Sequence, residues 1–61
     1  MPGLTMTQEV TKVVKNMMIH GGRFVQRLGK ALACADEDNA MKIKEAWPEY
    51  WDKYLNWPEE E

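Results

Sequence analysis

Apolar residues recur through the first half of the chain at Val10, Val13, Val14, Met17, Met18, Phe24, Val25, Leu28, Ala31 and Leu32. Gaps of three, four and seven residues are helical and do not fit strand alternation. No proline falls between 7 and 33, so the spacing predicts a helix over that range, with Thr7 as N-cap and Glu9 in its first turn. Gly21-Gly22 is the weak point. Two glycines cost about 2 kcal/mol relative to alanine inside a helix, and a break there is the alternative. Phase argues for continuity: Val10, Val14, Met17, Gly21, Phe24, Leu28, Leu32 and Ala35 hold one arc at about 100° per residue. One long helix, bent at the glycine pair, is the expectation.

Ala35-Asp36-Glu37-Asp38-Asn39 reads as the turn, and either Asp36 or Asp38 suits the N-terminus of a second helix. That helix runs from about 37 to at least 47, with Ala40, Ile43, Ala46, Trp47, Tyr50, Trp51 and Tyr54 on its face. Pro48 lies inside the pattern, so the expectation there is a kinked helix or two abutting helices. The fold class is all-α: an antiparallel helical hairpin with a long first helix and a Pro-kinked second. Residues 1–6 form a flexible lead-in, 7–57 the hairpin and 58–61 an acidic tail; Met6 is an alternative start. The first helix presents an apolar arc of roughly 140°, wider than one neighbouring helix covers. The surplus predicts a homodimer with a four-helix arrangement.

Composition narrows the chemistry. At 61 residues, 44% hydrophobic and 30% charged, the chain is one small domain of a size at which a single core is marginal. Cys34 is its lone cysteine and His20 its lone histidine, so it has neither an internal disulfide nor the usual zinc spacings. On one helix they would stand about 21 Å apart, too far for a nucleophile–base pair. No phosphate loop, paired-histidine helix or serine elbow is written. No catalytic residue, metal or cofactor is assigned. Apolar runs stop far short of the roughly 20 residues a bilayer needs, no signal peptide is visible, and the lone thiol suits a reduced cytoplasm.

Charge is divided along the chain. Residues 1–35 hold Glu9 against Lys12, Lys15, Arg23, Arg27 and Lys30; residues 36–61 hold nine acids and three bases. On one continuous helix the five bases cluster opposite the apolar arc. Such a stripe suits phosphate or an acidic protein surface, or it is a solvated face complementing the acidic second helix. The acidic, aromatic second helix is a poor DNA recognition element, so DNA association is the alternative and not the favoured reading. A nucleic-acid-mimicking inhibitor is a further one. Trp47, Tyr50, Trp51, Tyr54 and Trp57 supply the rigid, polar-tipped area that binding hot spots favour. Val14, Met17, Phe24, Leu28, Ile43, Trp47, Tyr50 and Tyr54 are assigned to the core or dimer contact. Trp51, Trp57, Arg23, Arg27 and Lys30 are assigned to a partner surface. Gly22, Gly29 and Ala33 form a small-residue strip that permits close helix approach.

Three stretches carry a resemblance: 23–31 (Arg-Phe-Val-Gln-Arg-Leu-Gly-Lys-Ala), Ala35-Asp36 with Asn39, and 46–54 (Ala-Trp-Pro-Glu-Tyr-Trp-Asp-Lys-Tyr). Together they cover about half the chain, and the last is the distinctive one. They resemble the small helical early proteins of the exo–xis region of lambdoid and Shiga-toxin bacteriophages. The resemblance implies a self-associating all-helical hairpin in the host bacterial cytoplasm. It further implies action by binding a host or phage protein, on host pathways or the lysis–lysogeny balance, and not by catalysis.

Overall fold

A computed structural model describes residues 3–58, within which the chain is all-helical. Four helices follow one another there: α1 (Met6–His20), α2 (Arg23–Ala33), α3 (Glu37–Ala46) and α4 (Pro48–Leu55). The acidic tail from Glu59 onward and the first two residues lie outside the described range.

α1 begins one turn-end earlier than the expected Thr7. Thr5 and Gln8 form a reciprocal capping box: the Gln8 amide donates to Thr5 Oγ1 at 3.1 Å, and Gln8 Oε1 accepts from the Thr5 amide at 2.9 Å. Thr7 is inside the helix, its carbonyl accepting from the Thr11 hydroxyl at 2.9 Å. A reciprocal pair satisfies two free amides, which a single cap cannot.

The single long helix expected over 7–33 is not formed. Gly21 (φ −81°, ψ 157°) and Gly22 (φ −77°, ψ −167°) are both extended, and α2 folds back on α1, the most extensive helix pairing in the molecule. The phase that suggested continuity has another origin, since both helices bury their stripes in the same core. Val13 and Met17 meet Val25, Leu28 and Leu32 there. A continuous helix over 7–33 would run about 40 Å, beyond the 29 Å longest extent of the molecule. The break replaces a half-exposed rod with a compact pair. Gly29 sits at the contact, where an added Cβ would be 3.1 Å from Met17 Cβ.

Asp36 caps α3, its Oδ1 accepting from the Asn39 amide at 2.8 Å, with Glu37 and Asp38 in the first turn. At Pro48 the chain forms two abutting helices. Trp47 (φ −132°, ψ 64°) ends α3 and precedes α4, and Pro48 takes the first helical position, where its missing N–H removes nothing. The expected two-helix hairpin is therefore four shorter helices, and a dimer would assemble eight.

The core consists of Val13, Met17, Val25, Leu28, Leu32, Ala40, Trp51 and Tyr54. Two polar ties cross it. Asn16, buried on the apolar face of α1, donates from Nδ2 to the Tyr54 carbonyl at 2.6 Å. Glu9 Oε1 accepts from Trp51 Nε1–H at 3.1 Å and from Lys44 Nζ at 3.3 Å, so one carboxylate joins α1, α3 and α4. The Lys44 ammonium also lies 5.6 Å from the Trp51 ring centroid.

Candidate interaction surface

Several assigned residues are where the sequence put them. Met17, Leu28 and Tyr54 are buried; Val14, Ile43 and Tyr50 are half-buried against the core. Two are not. Phe24 is 54% exposed and Trp47 39% exposed, which removes both from the monomer's core. Trp51, assigned to a partner surface, is 1% exposed and is the largest ring inside. The extended backbone at Gly21-Gly22 displaces Phe24 from the phase of Met17, and the non-helical Trp47 does the same between α3 and α4. Trp57 is half-buried; Arg23, Arg27 and Lys30 are exposed.

The two displaced rings meet. Phe24 and Trp47 stand edge-to-face, centroids 6.1 Å apart at 68°, and Phe24 is also 6.1 Å from Tyr50. From Tyr50 the rings continue through Tyr54 (6.5 Å) to Trp57 (5.3 Å, stacked) and on to His20 (4.4 Å, stacked). Edge-to-face and offset stacks are the favoured aromatic geometries, so the series is a fixed scaffold with Phe24 and Trp47 at its solvent end. Lys53 lies over the other end, 5.5 Å from Tyr54 and 5.9 Å from Trp57.

Beside Trp47 an open groove of 460 Å³ runs between α2 and α3. Ala31, Cys34 and Ala35 line one side; Ile43, Ala46 and Trp47 line the other, with Asn39 and Lys42 supplying polar groups. On α2 the three- and four-residue spacing of Phe24, Arg27, Ala31 and Cys34 makes one stripe. Periodicity could not assign Ala31, Cys34 and Ala46 to a surface site, because alanine carries too little apolar signal to mark a wall.

The surface charges are not neutralised locally. Among the described residues the ion pair found is Lys44–Glu9; Arg23, Arg27 and Lys30 have no acid within 4 Å there. The five-base stripe drawn on one helix is divided, Lys12 and Lys15 on α1 and the other three on α2. Among the described residues no three His, Cys, Asp or Glu side chains group to hold a metal ion, and no helix is long and apolar enough to cross a membrane.

Family models, curated proteins and solved structures were each compared with the chain, and none matches it.

Proposed function

We propose that this is a non-enzymatic interaction protein, a small helical unit that pairs with itself and engages a host or phage regulatory protein through exposed aromatic and apolar surface. The observation that carries the reading is the Phe24–Trp47 pair. A chain that buries Trp51 and Met17 to 1% exposure leaves two large rings in contact with each other and with solvent, beside an apolar groove. Contiguous exposed apolar patches mark interaction sites. An early phage role in the bacterial cytoplasm, at host takeover or the lysis–lysogeny decision, rests on the resemblance of the 46–54 block.

The test is a photo-crosslinking amino acid at position 24, introduced in bacterial cells. Protein adducts that vanish on Trp47→Ser, with helicity retained, are expected. Cross-links to nucleic acid, or none at a position this exposed, would overturn the reading. The competing DNA-associated regulator is favoured by the unpaired Arg23, Arg27 and Lys30. It requires micromolar duplex binding that falls steeply with salt; the interaction reading expects none at about 100 mM salt.

A further inference from the structure

We infer that the occupant of the α2/α3 groove is α2 of a second copy, in an isologous dimer that lays each α2 against the α3–α4 side of its partner. This rests on the self-pairing part of the proposed function and adds the surface and its orientation. Charge identifies the occupant. α2 carries Arg23, Arg27 and Lys30 and no acid, a net of +3. From the Asp36 cap to Leu55 there are six acids and three bases, a net of −3. None of the three α2 bases is satisfied within its own chain, so the complement that each copy lacks is what the other offers. A two-fold arrangement uses that match twice.

Shape agrees with charge. Ala31 and Cys34 on α2 and Ala46 on α3 are small, so a second helix can approach the groove closely there. Phe24 and Trp47 flank the approach and lose their exposed area on pairing. A specific interface needs about 600 Å² per copy, roughly one-eighth of this chain's 4599 Å².

The lone thiol lines this groove, so its reactivity reports occupancy. The purified full chain is followed by sedimentation velocity from about 1 to 200 µM at low and high salt, and Cys34 alkylation is timed at the same concentrations. Two charge-reversed chains accompany it, one Arg23→Glu/Arg27→Glu and one Glu45→Arg/Glu49→Arg, each checked for helicity. The expected result is a dimer that weakens with salt, and Cys34 alkylation slowed at least fivefold as it forms. Self-association should be at least tenfold weaker in either reversed chain and recover when the two are mixed. A dimer in which Cys34 stays equally reactive, or that ignores both reversals, overturns the groove assignment and leaves self-pairing standing. A monomer throughout the range overturns both.

Discussion

Replacing Gly21 by alanine separates the broken helix from the continuous one. In a continuous helix, alanine at 21 or at 22 would each stabilise by about 1 kcal/mol, and the two variants would behave alike. The structure makes them opposite. A Cβ on Gly21 collides with Val25 Cγ1, and would lie 2.6 Å from the Met17 carbonyl oxygen and 2.8 Å from Val25 Cβ. One of these is backbone and the others belong to a β-branched residue of the core, so none can swing aside. Overpacking of this kind costs about 1–3 kcal/mol, against about 0.4–1 kcal/mol recovered from the stiffer unfolded chain. The net is a loss of about 1–2 kcal/mol. At Gly22 no atom lies within 4 Å of the added carbon, and φ of −77° suits any residue, so only the gain remains. In a domain this size 1 kcal/mol moves Tm by about 4–8 °C. Melts followed by far-UV circular dichroism at one fixed concentration should place Gly21→Ala about 5–15 °C below the parent and Gly22→Ala a few degrees above it. Equal stabilisation of both would refute the break. The glycine at 21 is needed for space and not for a left-handed backbone, since φ there is −81°.

Other outcomes follow from the same contacts. Trp51→Ala removes a wholly buried ring and its bond to Glu9, at a cost of about 3–5 kcal/mol; little native helix should survive in its spectrum at 37 °C. Trp47→Ala, at a ring 39% exposed, should lower the urea midpoint far less, and a larger loss than that of Trp51→Ala would contradict the core assignment. Asn16→Ala strands the buried Tyr54 carbonyl and should cost about 1–3 kcal/mol in urea titration. Gly22→Asp gives α2 the side-chain cap it lacks and places a carboxylate at its N-terminus. A gain of about 0.5–1 kcal/mol is expected on thermal melting.

How far the sequence could be read depended on what kind of signal each element left. Helicity was legible throughout, because the three- and four-residue spacing of Val10 to Leu32 survives any arrangement of the pieces. Asp36 was legible as one of two caps and Pro48 as a joint. The glycine pair was misread for a physical reason: two short helices that share one core must each point their stripe at it, and their stripes can then mimic a single phase. Local pattern does not distinguish a rod from a folded pair; the length of rod a 61-residue chain can shield does. Glu9 and Asn16 illustrate the second blind spot. Both fall in register with Val13 and Met17, so they are polar residues on an apolar stripe, yet their partners Trp51, Lys44 and Tyr54 are more than thirty residues away.

The distinctive Trp47-Pro48-Glu49-Tyr50-Trp51 block makes physical sense once the joint is placed at Trp47. In an unbroken helix residues four apart differ by about 40° in azimuth, so Trp47 and Trp51 would share a face and be buried or exposed together. They are not: one is 39% exposed and the other 1%. Proline at 48 cannot donate to the carbonyl four residues back, and Trp47 leaves helical geometry. The following turn restarts with Trp51's amide bonded to the Trp47 carbonyl at 3.0 Å. That restart uncouples the two indoles. Trp51 turns inward to Glu9 and Lys44, locking α4 to α1 and α3. Trp47 turns outward to Phe24, which the glycine break has likewise released from the phase of the core. Two interruptions of helical phase, one by glycine and one by proline, thus place one ring each at the same edge of the groove. The irregularities that defeat a periodic reading of the sequence are what assemble the surface on which the proposed function depends.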